Sequence, residues 1–112
     1  RCDGNTVGCI SMKLQYYTIG ANRGRPRIWL EGKRLTAMGI SRGDKFRTHK
    51  VEDGVNIEIT PEGRRKVSGK GDRPIIDIVG RDINYWGFDI GDDVKIIYNY
   101  KWLFIRRKND EV

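Results

Sequence analysis

Apolar residues recur at every second position in several short stretches of the chain, which is the spacing of a half-buried β-strand. This alternation covers Ile28-x-Leu30, Val55-x-Ile57-x-Ile59, Ile76-x-Ile78 and Val94-x-Ile96-x-Tyr98. Two glycine-bounded stretches, Lys33 to Met38 and Arg81 to Trp86, have room for one short helix each. The pattern therefore predicts a mainly β protein with two short helices.

Glycine, proline and aspartate positions repeat with one fixed spacing. The run Arg25-Pro26-x-Ile28, followed by Gly32, Gly39 and Gly43-Asp44, returns 48 residues later as Arg73-Pro74-x-Ile76, followed by Gly80, Gly87 and Gly91-Asp92. A gap-free recurrence of this kind indicates two copies of one supersecondary unit. One unit is too small to bury a stable core, so we expect the two to share one core in a single domain.

Each unit is predicted to contain a strand, a basic turn, a second strand, a short helix and a β-hairpin. In the first unit these are Lys13 to Ile19, the turn from Gly20 to Pro26, the strand around Ile28, the helix, and a hairpin that turns at Glu52-Asp53-Gly54. Gly39 is a predicted left-handed helix C-cap. The predicted organisation is a first unit over residues 12–60, a basic connector with the first strand and turn of the second unit over 61–73, and the rest of that unit over 74–106.

The termini are predicted to lie outside the repeat. Residues 1–11 are expected to be a flexible tail or a non-native extension, with Met12 as the natural start, and residues 107–112 a charged tail. Cys2 and Cys9 have no histidine or third cysteine nearby, so no zinc site is expected. Without an apolar run of ~20 residues or a signal-peptide pattern, we expect a soluble, cytoplasmic protein with no membrane partner.

The net charge of +7 is unevenly distributed between the units. Residues 12–60 hold ten Lys/Arg against five Asp/Glu, and residues 61–73 hold five against two. Residues 74–112 reverse the balance, with six against seven. A basic first unit and connector favour a polyanionic partner.

The pattern Pro-x-Ile-x-Leu-x-Gly, then Leu, Gly-Ile and Gly, resembles the swapped-hairpin AbrB fold of SpoVT/AbrB regulators and MazE-type antitoxins. It is most similar to the SymE-like branch, with matches at Pro26, Ile28, Leu30, Gly32, Leu35, Gly39, Ile40 and Gly43, and again at Pro74, Ile76, Ile78, Gly80, Ile83, Gly87, Phe88 and Gly91. Arg34 and Asp82 stand where that branch has tryptophan. The resemblance spans roughly residues 13–106 and implies two tandem swapped-hairpin units in one pseudo-dimeric, β-barrel-like domain, either as a monomer or as a homodimer.

AbrB-type proteins bind duplex DNA through arginines on the first strands and turns, so the resemblance implies a small transcriptional or accessory regulator. The matching basic positions are Arg23, Arg25, Arg27, Arg64, Arg65, Lys66, Lys70 and Arg73. Arg25 and Arg73 recur at the same place in both units, which makes them the leading candidates. Asn22 is a candidate for base readout.

Two other functions stay open. The carboxylates of the second unit, Asp77, Asp82, Asp89, Asp92 and Asp93, suggest a basic protein partner, as for an antitoxin or inhibitor. The SymE resemblance implies RNA cleavage and therefore an RNA substrate. However, His49 lacks a second imidazole, and the spacing of Asp77 and Asp93-x-Lys95 follows from the repeat. We therefore expect no catalytic residue, metal or cofactor.

Most aromatic residues fall at periodic strand or cap positions and are predicted to lie in the core. The hairpin from Val94 to Ile105 is the most apolar part of the chain and is expected to be central. Trp29 stands between inward-pointing Ile28 and Leu30, so it is predicted to face outward.

Overall fold

The computed structural model describes residues 13–108, so the predictions for residues 1–11 and 109–112 lie outside the described part of the chain. The described residues are mainly β, in two antiparallel sheets, with two short helices. In chain order the elements are β1 (Lys13–Thr18), β2 (Gly20–Asn22), β3 (Arg25–Glu31), α1 (Lys33–Ala37), β4 (Lys45–Val51), β5 (Gly54–Ile59), β6 (Arg65–Lys66), β7 (Ser68–Lys70), β8 (Arg73–Val79), α2 (Arg81–Tyr85), β9 (Asp93–Asn99) and β10 (Trp102–Arg107).

The 48-residue spacing of the sequence is also the spacing of the elements. The starts of β2, β3, α1, β4 and β5 are followed 48 residues later by the starts of β7, β8, α2, β9 and β10. The correspondence holds for the helix caps too. Gly39 and Gly87 have φ of 79° and 100°, and Ile40 and Phe88 donate their backbone N–H groups to Leu35 and Ile83. The predicted glycine cap at Gly39 is thus confirmed and occurs in both units.

Each sheet contains strands of both units. The six-stranded sheet has the order β1-β9-β10-β5-β4-β6 and the four-stranded sheet the order β2-β3-β8-β7. The first strand of the first unit, β1, pairs with β9 of the second unit, while β6 pairs with β4 of the first. Equivalent residues face each other where the units meet, namely Trp29 and Asp77 in one sheet and Asn56 and Phe104 in the other.

One hydrophobic cluster fills the space between the sheets and draws on both units. Ile28 and Leu30 of β3 and their equivalents Ile76 and Ile78 are all at most 2% exposed. Both hairpins contribute to the cluster, with Phe46, Val55, Ile57, Val94, Ile96, Tyr98, Leu103 and Ile105. The helix α1 packs mainly against β8 of the second unit, and α2 packs mainly against β3 of the first. The expected shared core is therefore present.

Two predicted boundaries differ from the structure. The predicted turn over residues 20–26 and its equivalent in the second unit, residues 68–74, contain the short strands β2 and β7, which leave two-residue turns at Arg23-Gly24 and Gly71-Asp72. At the other end, β10 continues through Arg107, and the backbone N–H of Lys108 donates to Asp93 O at 3.0 Å.

Candidate nucleic-acid interface

Two short hairpins present basic residues at the edges of the four-stranded sheet. In the first hairpin Asn22 pairs with Arg25 across a turn in which Arg23 and Gly24 both have positive φ, 55° and 81°. Positive φ at both central residues is the geometry of a tight hairpin turn whose twist matches the flanking strands. In the second hairpin Lys70 pairs with Arg73.

The antiparallel pairing of β3 with β8 places these two turns at opposite ends of the sheet. Trp29 of β3 faces Asp77 of β8 near the middle of the pair. Because the two strands are antiparallel, Arg25 at the start of β3 and Arg73 at the start of β8 lie at opposite ends of the pair. At ~3.3 Å per residue the two arginine backbones are roughly 26 Å apart. Equivalent residues of the two units therefore stand at the two ends of one surface.

Most of the cations at these turns are available to a ligand. Within residues 13–108, no ion pair engages Arg23, Arg25 or Lys70, and all three are exposed. Arg73 lies 3.9 Å from Glu31, with both side chains well exposed, an arrangement that contributes little binding energy.

Arg27 differs from its neighbours because it is already paired. Its Nε and Nη2 donate to the two carboxylate oxygens of Asp77 at 2.9 and 3.1 Å, and its guanidinium lies 4.4 Å from the centre of the Trp29 ring. The hydrogen bond to Asp77 raises the pKa of Arg27 above its ordinary value. Trp29 is 38% exposed, which confirms that it faces outward. The charge of Arg27 is thus compensated inside the predicted site.

The remaining predicted cations lie on the other sheet. The edge strand of the six-stranded sheet, β6, consists of Arg65 and Lys66, and Arg64 precedes it. Lys66 faces Lys45 of β4. Arg65 is paired with Asp82 of α2. The eight predicted cations therefore do not form one cluster: five surround the four-stranded sheet and three lie at the edge of the other.

Sequence reasoning missed one neighbour of the second turn. An open cleft of about 360 Å³ beside this turn is lined by Lys70, Arg73, Asp72 and Lys33. Lys33 opens α1 of the first unit and is exposed. Its proximity to Lys70 arises from pairing between the units, so only the fold reveals it.

The carboxylates of the second unit already have partners. Asp77 and Asp82 pair with Arg27 and Arg65. Asp89 accepts from the Asn84 amide, Asp92 accepts the backbone N–H of Asp89, and Asp93 accepts from Thr18. Asp44 caps the equivalent turn of the first unit by accepting from Ser41 N–H. These contacts favour a role for the carboxylates in turns and charge balance.

The acid–base candidates are separated. Asp77 lies on the four-stranded sheet and Asp93 on the six-stranded sheet. His49 Nε2 is 2.9 Å from Glu58 Oε1, which also accepts from Arg47 Nε at 2.9 Å. Hydrogen bonds from Arg47 and then His49 lower the pKa of Glu58. Within residues 13–108, no group of three potential ligands is arranged to hold a metal ion.

Comparison of the chain with protein-family models, curated proteins and solved structures found no match. In the part of the chain that the structure describes, neither helix has the length and apolar character needed to cross a membrane.

Proposed function

We propose that this chain binds duplex DNA through the outer face of the four-stranded sheet, as a small transcriptional or accessory regulator. The pairing of β1 with β9 and of β6 with β4 supports a single-chain version of the swapped-hairpin pseudo-dimer that the sequence resembles. The observation that favours DNA most is the placement of Arg25 and Arg73, equivalent and exposed, at opposite ends of one sheet.

The geometry suits a duplex. Arginines about 26 Å apart reach the phosphates on both sides of a major groove ~12 Å wide, with β3 and β8 facing the groove. Phosphate contacts of this kind position a protein without reading sequence. Asn22 is half-buried beside Arg25 and is the side chain at the first turn best suited to contact a base edge.

The number of available cations sets the expected salt dependence. Arg23, Arg25, Lys70 and Arg73 are four candidates for phosphate contact, and each contributes ~0.9 to the slope of log affinity against log salt. We therefore expect a slope of about −3 to −4, shallower than for proteins that make many more phosphate contacts. Fluorescence anisotropy of a labelled duplex at several salt concentrations measures this slope.

A double charge reversal tests the site itself. Arg25→Glu with Arg73→Glu should weaken duplex binding by more than tenfold and flatten the salt dependence. Lys45→Glu with Lys95→Glu is the matched control, because it makes the same change in net charge on the six-stranded sheet. Duplex affinity that falls equally in both variants, or is unchanged in the first, would remove the assignment.

A further inference from the structure

The outer face of the six-stranded sheet, the side turned away from the core, carries a row of aromatic rings. Trp102 and Phe104 of β10 alternate with the fully buried Leu103 and Ile105, so their rings point outward. The two ring centroids are 5.9 Å apart with the planes inclined by 14°, and His49 of β4 stacks on Trp102 at 6.0 Å. Most aromatic residues were predicted to lie in the core, and that prediction is wrong for Trp102 and Phe104, which are half-buried and point outward.

The aromatic row continues toward the edge of the sheet. Phe104 of β10 faces Ile97 of β9. Two residues away on β9, Lys95 faces Tyr16 of β1. Tyr16 is 60% exposed and Leu14, also on this face, is 50% exposed. The face thus offers ring surfaces from its centre to its edge.

Cations surround these rings. Strand alternation and register show which charged strand residues lie on this face. The positively charged ones are Lys45, Arg47, Lys66, Lys95 and Arg106, and the negatively charged ones are Glu58 and Asp93. The Arg106 guanidinium is 6.0 Å from the Phe104 ring centre, and Lys108 Nζ is 5.1 Å from that of Tyr16. Arg47 is paired with Glu58 and Glu62, and Arg106 with Asp53. Within residues 13–108, Lys45, Lys66 and Lys95 take part in no ion pair, so the face is both basic and aromatic.

An unpaired polar atom lies in the middle of the row. Asn56 stands between His49 and Phe104, and its Oδ1 is buried with no hydrogen-bond partner among residues 13–108. A buried acceptor without a donor is costly. The N3–H of thymine or uracil, or an exocyclic amine of another base, would supply that donor on entering between the rings.

We propose that this face binds a single strand of nucleic acid, whose bases stack on Trp102, Phe104 and Tyr16 while the surrounding cations contact its phosphates. Stacking requires exposed base faces, which a duplex hides within its own stack, so the ligand is single-stranded. Base faces and phosphates are common to ribose and deoxyribose strands, so the face accepts either. A second copy of the chain is disfavoured, because a symmetric contact would set one basic face against another.

The test uses labelled oligothymidylate and oligouridylate of about 12 nucleotides, within the ~4–16 nucleotides that such surfaces cover. The intact chain should bind both, and Trp102→Thr with Phe104→Thr should weaken binding by at least about tenfold. Trp29→Thr is the matched control, since it removes an exposed ring beside a cation on the four-stranded sheet, and it should leave single-strand binding unchanged.

A direct readout of stacking comes from tryptophan fluorescence. With Trp29→Phe in place, Trp102 is the remaining half-exposed tryptophan and Trp86 is buried. Addition of oligothymidylate should quench the emission, and adding Trp102→Thr should abolish that quenching. This assay needs only the single Trp102 substitution, so it applies even where the double variant fails to fold.

The proposal is overturned if single-strand affinity survives the loss of both rings, or if the Trp29→Thr control loses as much affinity as the double variant. It is also overturned if the protein self-associates through this face in light scattering and binds no oligonucleotide. The duplex site is tested separately. Arg25→Glu with Arg73→Glu should abolish most duplex binding while single-strand affinity stays within a few-fold, so that either function can fail alone.

Discussion

Single positions show how far the two units have diverged. Arg27 corresponds to Ile75 in the second unit, and Trp29 corresponds to Asp77. The ion pair of Arg27 with Asp77 and the stacking of Arg27 on Trp29 therefore combine residues that an identical pair of units would not supply. A single chain can carry different residues at two equivalent positions, whereas a symmetric homodimer carries the same residue at both.

This asymmetry leads to a prediction for Asp77→Asn. The substitution removes a negative charge from the middle of the proposed duplex-binding face and frees Arg27 for a phosphate. Duplex affinity should rise a few-fold and the salt slope should steepen by about 1. Stability should change little, because solvent-accessible ion pairs contribute little to folding.

Asp82→Asn is the control for Asp77→Asn, since it frees Arg65 at the other sheet by the same chemical change. Anisotropy titrations of both variants at two salt concentrations make the comparison. Equal or weaker binding by Asp77→Asn would show that Arg27 does not face the DNA.

At the scale of elements, the contact between β5 and β10 joins the two hairpins. Gly54 begins β5, and a Cβ added there would lie 1.9 Å from the carbonyl oxygen of Ile105. Gly54→Ala should therefore force the strands apart and destabilise the protein by about 2 kcal/mol or more, as overpacking does.

Gly20→Ala is the matched control for Gly54→Ala. Its added Cβ meets only Arg27 O, at an ordinary 3.7 Å, so its stability should stay near that of the unsubstituted chain. Denaturant unfolding of both variants measures the difference. A Gly54→Ala protein as stable as the control would mean that β5 and β10 do not pack as described.

The sequence predicted elements well where local pattern determines them. Alternating apolar residues located β3, β5, β8 and β9, and glycines located the helix ends. The strands β2 and β7 were missed because Gly-Ala-Asn and Ser-Gly-Lys have no apolar alternation, and they become strands only by pairing with β3 and β8. In Trp102 to Ile105 every residue is apolar, so the sequence could not tell which two side chains point inward.

The same limit applied to the candidate site. The repeat identified Arg25 and Arg73 as equivalent, and the structure places them at equivalent turns. The location of Arg64, Arg65 and Lys66 depended on β6 pairing with β4 of the other unit, a contact between units that no local pattern encodes.

At the scale of the whole molecule, neither unit forms a complete sheet alone. The six-stranded sheet takes β1, β4 and β5 from one unit and β6, β9 and β10 from the other. Covalent linkage holds the two units at high effective concentration, so the interleaved core forms within one chain. Interleaving also fixes the spacing of the two basic turns, which is the basis of the proposed duplex contact.

The most direct test of that contact is an amide-resolved NMR titration of the intact chain with a short duplex. The largest shift changes should fall at both ends of the four-stranded sheet, in residues 22–27 and 70–75, with the six-stranded sheet little affected. Changes confined to one turn, or located mainly on the six-stranded sheet, would contradict it.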